Sequence, residues 1–350
     1  MSSTHPIGTP VQDPALPADT LLSVRNLQTH FFSREGTVKA VDGVTFDVKQ
    51  GEILGIAGES GCGKSVTSQS IMRILPKNAK IVGGEILYNH QGQVIDLTAV
   101  DPNGRVIRAI RGKEISMIFQ EPMSAFSPVH TIGNQIIETI RIHQPMSKAE
   151  AREQAIEMLH RVGMPNPGRN IDQYTFNLSG GMRQRAMVAL ALSCRPKLLI
   201  ADEPTTAVDV TIQAQILKLL REIQADLGMA IIMITHDLGV IAELTDRVMI
   251  MYLGKEVEYG SVENLFHRPK HPYTRGLLAS IPKMAPGRIE IEPIEGSVPS
   301  PYALPTGCKF HPRCRDFMRG VCEVSEPPLI PIAPGHEVSC YLYGGREERA

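Results

Sequence analysis

The sequence contains no tryptophan, and aromatic residues make up only 5% of its 350 positions. A chain so poor in flat rings has little with which to stack bases or sugars, which excludes a platform for single-stranded nucleic acid. Charge of one sign is also missing: 36 Lys and Arg stand against 37 Asp and Glu. Without a basic field, nucleic acid is not an expected partner. Long apolar runs are absent as well. The apolar runs, such as 230–235 and 248–253, fall far short of the roughly 20 residues that a membrane-spanning helix needs. The opening MSSTHPIGTPVQDPALPADT has no basic start followed by an apolar stretch, so it does not read as a secretory signal. Its Pro, Ser and Thr content predicts a disordered tail over 1–20. The expected location is the cytoplasm, where six cysteines are not expected to form structural disulfides.

What is present is enough apolar material for a sizeable core, 42% of the chain. Residues 21–50 alternate loosely with period two and predict short strands with a turn between them. The apolar run 53–57 (ILGIA) suits a strand buried on both faces, as do 198–201 (LLIA) and 231–235 (IIMIT). Helical spacing follows each. Val66, Ile71, Ile74 and Leu75 predict a helix closed by Pro76; Ile212, Ile216, Leu219, Leu220 and Ile223 predict another from Val210; a third is expected through Leu244. The stretch 134–195 reads as mainly helical, with Gly163 and Pro165 as a stop. Strand and helix in alternation predict an α/β fold with a parallel sheet. After about Gly260 proline becomes dense, and four of the six cysteines fall between 308 and 340. The predicted division is 21–260 for the main domain and 261–350 for a C-terminal extension. No internal repeat is evident.

The residues Gly58, Glu59, Ser60, Gly61, Cys62, Gly63, Lys64 and Ser65 match the phosphate-binding pattern G-x-x-x-x-G-K-[ST] at every fixed position. Glycines let the backbone curl until several N–H groups point at phosphate oxygens, and the helix that follows adds its positive end. Lys64 is placed to reach the β- and γ-phosphates, and the Ser65 hydroxyl to ligate Mg²⁺. A second acidic site, Asp202 and Glu203, closes the buried run 198–201, where parallel sheets place their ligands. Asp202 would hold Mg²⁺, directly or through water, and Glu203 would orient and deprotonate the attacking water. These features define a P-loop NTPase.

The run 177–185, NLSGGMRQR, narrows the class. It resembles the LSGGQ signature of the ABC ATPases, with Met182 in place of the usual Gln. Ser179, Gly180 and Gly181 before a helix make a further anion-binding N-terminus. The resemblance implies a parallel-sheet core with an antiparallel β part and a helical subdomain over about 121–195. It also implies that this loop meets the γ-phosphate held by an opposite protomer, so that two protomers sandwich two ATP molecules. Other landmarks of the family follow in order. Gln120 in IFQEP resembles the loop that senses Mg²⁺ and water and couples to the membrane subunit. Asp209 in TTAVD resembles the dimer-contact loop, and His236 in ITHD the switch histidine at the γ-phosphate. Phe31, with Phe32 competing, stands where the family carries an adenine-stacking Tyr, and Val66 adjoins the phosphate loop. Read alone, a histidine at a strand end is a satisfied structural residue more often than a switch.

The segments HRPKHPYTRGLLASIP and PTGCKFHPRC resemble the ATPase subunits of dipeptide and oligopeptide importers, a subfamily that also serves nickel, some oligosaccharides and opines. That resemblance implies import of peptides or related small solutes and two transmembrane permease subunits. It implies a second ABC ATPase chain in a heterodimer rather than a homodimer, an extracytoplasmic solute-binding protein, and a peripheral place at the cytoplasmic face of the cell membrane. Cys308, Cys314, Cys322 and Cys340 are spaced x5, x7 and x17, with no C-x-x-C, unlike common zinc ribbons. Four thiolates suit a 4Fe–4S cluster, which the resemblance also implies. Zinc, with His311 or His336 as substitutes, and four plain thiols remain open. Cys62 and Cys194 read as packing residues. Two other functions stay in view: a soluble ABC ATPase acting on ribosomes or DNA, and a metal- or redox-sensing ATPase switch. The first lacks its usual second ATPase domain or coiled-coil insertion here.

Overall fold

The computed structural model describes residues 16–121, 125–206, 209–281, 283–285, 288–290 and 292–344. Most of the expected N-terminal tail, residues 1–15, therefore lies outside the described residues. The strands are β1 (Thr20–Ser33), β2 (Gly36–Lys49), β3 (Ile53–Ala57), β4 (Ala79–His90), β5 (Gln93–Asp96), β6 (Ile115–Ile118), β7 (Leu198–Asp202), β8 (Ala230–Ile234), β9 (Arg247–Tyr252), β10 (Lys255–Ser261), β11 (Lys283–Ala285), β12 (Arg288–Glu290), β13 (Ile330–Ala333) and β14 (His336–Val338). The helices are α1 (Lys64–Ile71), α2 (Arg105–Ile110), α3 (Ile132–His143), α4 (Lys148–Arg161), α5 (Pro167–Asn170), α6 (Gly180–Leu192), α7 (Val210–Leu227), α8 (Leu238–Leu244), α9 (Val262–His267) and α10 (Pro272–Ala279). The chain forms two compact units. Among the described residues, one holds those of 16–22, 48–52 and 87–234; the other holds those of 23–47, 53–86 and 235–344.

In the first unit β6, β7 and β8 run parallel, with Ile115 opposite Leu198 and Leu198 opposite Ala230. Every residue of the three strands is buried, which is why 198–201 and 230–234 read as apolar runs rather than alternating ones. Helix α7 turns Ile216, Leu220 and Ile223 into the core. Three helices, α3, α4 and α6, pack together as a helical group. Helix α4 opens with a capping box: the Ser147 side chain accepts from the Glu150 N–H, and the Glu150 carboxylate accepts from the Ser147 N–H.

In the second unit β3 pairs parallel with β9, β9 antiparallel with β10, β10 with β14, and β14 with β13. The proline-rich segment beyond 260 thus contributes two strands, β13 and β14, that extend an existing sheet. Phe310 joins the core cluster of Ala57, Ile241, Val248, Tyr252 and Tyr273, so the segment draws on a shared core in place of one of its own. The first helix is shorter than its pattern predicts. It ends at Ile71 with Met72 as C-cap, and Arg73 takes a left-handed φ of 54°. Ile74 and Leu75 consequently lie beyond the helix; apolar spacing alone does not register a backbone reversal.

Among the described residues no helix is long and apolar enough to cross a membrane.

Candidate functional site

The second unit holds the phosphate loop. Strand β3 delivers the chain to Gly58, and helix α1 begins at Lys64, so 58–63 form the bend between a buried strand and a helix N-terminus. Two glycines are required by contact as well as conformation. Gly58 has φ 151°, and a Cβ there would strike the Met251 carbonyl oxygen; Gly63 has φ 107°, and a Cβ would strike the Ala40 carbonyl oxygen. Gly61 has φ 77°. Lys64 is 5% exposed. Its ammonium donates to the Gly58 carbonyl at 2.7 Å and the Glu59 carbonyl at 3.1 Å, which aims it back along the loop. Cys62 is buried with its sulfur 3.9 Å from that ammonium, and burial pushes its thiol pKa up while Lys64 pulls it down. Ser60 and Gly61 are more open, and Ser65 and Val66 are half-buried at the start of α1.

Other expected nucleotide residues fall in the same unit. The Thr235 N–H donates to the Ile56 carbonyl at 3.3 Å, which sets the chain after β8 alongside the strand that feeds the loop. The next residue, His236, is exposed, and Asp237 then caps α8 by accepting from the Gly239 and Val240 N–H groups. Phe31 is half-buried on β1; Phe32 is 44% exposed, its ring 6.5 Å from that of His30.

The first unit holds the acidic strand end and the signature loop. Asp202 ends β7 and is 3% exposed. Glu203 follows with φ 47°, a left-handed conformation that costs a non-glycine residue about 1–3 kcal/mol and is typical of functional positions. Its N–H donates to the Ile234 carbonyl at 2.8 Å. Its carboxylate accepts from Gln120 Nε2 at 3.0 Å and from Thr206 Oγ1 at 2.8 Å, both at Oε2. The structure therefore brings together Gln120 and Glu203, which the sequence named separately.

Ser179 is the N-cap of α6, accepting from the Met182 N–H at 3.4 Å. One donor at this helix end is thus engaged by the cap, so the signature loop offers fewer free N–H groups than the sequence promises. Gly180 is open, and Gly181 lies against Ile212: a Cβ there would come within 2.9 Å of its Cδ1. Gln184, 1% exposed, donates to the Pro204 carbonyl and ties α6 to the turn after Glu203. Asp209 caps α7, accepting from the Ile212 N–H at 2.9 Å.

Cys308, Cys314, Cys322 and Cys340 line one small, almost wholly apolar cavity in the second unit, with His311, Met318 and Tyr341. Burial pushes the Cys308, Cys314 and Cys340 thiols up to about 11, and their mutual proximity adds to the rise. The donor set suits a soft metal or cluster. As arranged, however, no group of three or more His, Cys, Asp or Glu among the described residues stands so as to hold a metal ion.

Sequence reasoning missed Arg313 and Tyr273. The Tyr273 hydroxyl accepts the Glu59 N–H at 2.8 Å, and Arg313 makes two bonds to the Glu59 carboxylate, at 2.7 and 3.1 Å. A signal did exist. A carboxylate inside a loop built for phosphate calls for a cation beside it.

The second unit carries a strand–loop–helix with its lysine, and the first an acidic strand end with its glutamine; each by itself is a feature of P-loop nucleotide hydrolases. An ABC transporter family profile matches residues 41–206, and one for the oligopeptide/dipeptide transporter C-terminal region matches 257–322. A probable peptide ABC transporter ATP-binding protein of Sinorhizobium fredii is 52% identical over 93% of this chain and 95% of its own length. A dipeptide transport ATP-binding protein of Bacillus subtilis is 48% identical over 95% and 97%. Among solved structures, an ATP-binding cassette dimer in a post-hydrolysis state bound to ADP and phosphate superposes with TM-score 0.61 at 25% identity, covering 69% of this chain and 99% of that one. The chain belongs to the ATP-binding proteins of peptide ABC transporters, and it is an ATP hydrolase.

Proposed function

We propose that the chain powers import of peptides or related small solutes, as the peripheral ATPase at the cytoplasmic face of a membrane-embedded permease pair. The observation that carries the hydrolytic half of this reading is the Glu203 carboxylate, held at the end of β7 by Gln120 and Thr206. A carboxylate so fixed can orient a water and take its proton while a phosphoryl group is transferred. In this reading Lys64 and the N–H groups of 58–65 hold the β- and γ-phosphates. Phe31 stacks on the adenine, and His236 meets the γ-phosphate. Ser65, Gln120 and Asp202 offer the oxygen donors that Mg²⁺ prefers. Bound there, Mg²⁺ neutralises charge on the phosphates. Ser179, Gly180, Gly181 and Asp209 face the nucleotide of a second cassette, and a different ATPase chain is the proposed partner. The permeases dock near Gln120, and a solute-binding protein delivers the cargo. The functional division is 21–260 for hydrolysis and 261–350 for a C-terminal accessory segment.

The reading is tested by Glu203→Gln, which should still bind ATP but hydrolyse it about 10²–10⁴-fold more slowly. Wild-type turnover would remove Glu203 as the base. Lys64→Ala should lose nucleotide binding, and unchanged affinity would remove the phosphate loop. The four-cysteine cavity is carried as a candidate four-thiolate site. Iron, sulfide and visible charge-transfer absorbance after anaerobic purification of the full chain would support a cluster, and their absence would end that part of the reading.

A further inference from the structure

We infer that Arg313 is a positioning residue for the phosphate loop: it neutralises and pins Glu59, so that a loop carrying its own carboxylate can still receive a triphosphate. The inference rests on the reading of 58–65 as the phosphate loop.

Glu59 is the first residue after Gly58, and its carboxylate places a negative charge in a loop whose ligand carries several. Left alone, that charge would oppose binding. Arg313, 254 residues away in sequence, meets it with a fork: Nη1 donates to Oε2 at 2.7 Å and Nη2 to Oε1 at 3.1 Å. The planar guanidinium suits this two-point contact in a way an ammonium cannot. The other side-chain contacts of Arg313 fix the guanidinium itself. Nε donates to the Glu295 carbonyl at 3.2 Å, Nη1 reaches the Tyr252 hydroxyl at 3.4 Å, and the group lies over the Tyr252 and Phe310 rings at 5.9 and 6.0 Å. Its side chain is 4% exposed. Hydrogen bonding to Glu59, reinforced by Tyr252, holds Arg313 even more firmly charged than usual.

Glu59 is gripped at two further points. Its N–H goes to the buried Tyr273 hydroxyl at 2.8 Å, and its carbonyl accepts from Lys64 Nζ at 3.1 Å. Glu59 is thus fixed through N–H, carbonyl and carboxylate. Two of these three holds come from the segment matched by the C-terminal region profile. Arg313 acts through Glu59 and not on phosphate, because Nε, Nη1 and Nη2 are each engaged by the carboxylate or by neighbouring groups. It is therefore a determinant of nucleotide affinity supplied from outside the motif that binds nucleotide.

The test uses the full-length chain, with ATP titration for affinity, steady-state hydrolysis in the assembled transporter for kcat and KM, and thermal melting as a control for folding. Arg313→Met should raise the ATP Kd and KM about tenfold, with a smaller change in kcat. Arg313→Lys should recover only part of that loss, since a point charge cannot make the fork. The double variant Glu59→Gln/Arg313→Met should return to within about threefold of wild type, because no uncompensated carboxylate then remains. A Kd for Arg313→Met within about twofold of wild type would overturn the inference. So would a double variant as weak as Arg313→Met alone, which would make Arg313 a packing residue. Should Arg313→Met fail to fold, Arg313→Lys decides: a clearly weakened Kd supports the inference and an unchanged one overturns it. Lys64→Ala, measured alongside, separates failure of this inference from failure of the phosphate-loop reading.

Discussion

Gln120 Nε2 donates to Glu203 Oε2 across 3.0 Å, joining the second residue after strand β6 to the first after strand β7. The two strands are parallel neighbours, with Ile118 opposite Ala201, so the contact follows from register. Gln120 orients the carboxylate without changing its charge. Gln120→Ala is accordingly expected to slow hydrolysis by on the order of a hundredfold, with ATP affinity nearly unchanged. Paired ATP titration and single-turnover hydrolysis would show the split, and a matching loss of affinity would contradict an orienting role.

Gly63 carries φ 107° and lies against the Ala40 carbonyl oxygen. Gly63→Ala should destabilise the chain by at least about 2 kcal/mol, through backbone strain and the clash together. Nucleotide binding should fall with it. Chemical denaturation and ATP titration of the same preparation would show both.

Glu258 is fully buried and accepts from the Lys270 N–H at 2.8 Å, the His271 N–H at 2.9 Å and His336 Nε2 at 2.8 Å. Glu258→Ala would leave two backbone donors and an imidazole without their acceptor. The expected cost is about 3–5 kcal/mol. Glu258→Gln, which keeps an acceptor, should lose less. Denaturant unfolding of the two variants would rank them.

Glu256 is driven by burial to a pKa of about 7. The folded chain therefore holds a proton that the unfolded chain would release. Its stabilising contribution is complete below the ordinary carboxylate range and is lost as pH rises through about 7. Glu256→Gln should gain stability over wild type at about pH 8, by on the order of 1–3 kcal/mol, and show little gain at about pH 5. Thermal melts at the two pH values would reveal the crossover.

Much of the fold was legible where a strand is buried on both faces. The runs 53–57, 198–201 and 231–235 became β3, β7 and β8 with ends shifted by a residue at most, because nothing polar interrupts them. Strand β6 escaped notice. It is four residues long and follows Lys113 and Glu114, so it carries too little apolar signal by itself. Pairing with β7 makes it a strand. Long strands β1 and β2 were seen only as shorter pieces, since exposed positions break their alternation. At the site, the glycines, Lys64 and the acidic pair were legible because backbone curvature and phosphate charge demand those residue types. Arg313 and Tyr273 were not. Their partner is a variable position of the loop, and no local pattern encodes a contact across more than two hundred residues. Ser179 and Asp209 show the converse limit. The sequence pointed to nucleotide and dimer contacts, and each side chain is also a helix cap.

Strand β10 is covered on its outer side by β14, with Glu258 opposite Val338 and Gly260 opposite His336. A chain cut short before His336 would bare a row of unpaired amides and carbonyls along β10, and such a margin invites intermolecular strand pairing. Shortened forms of this subunit would then be prone to clump before any loss of catalysis could be measured.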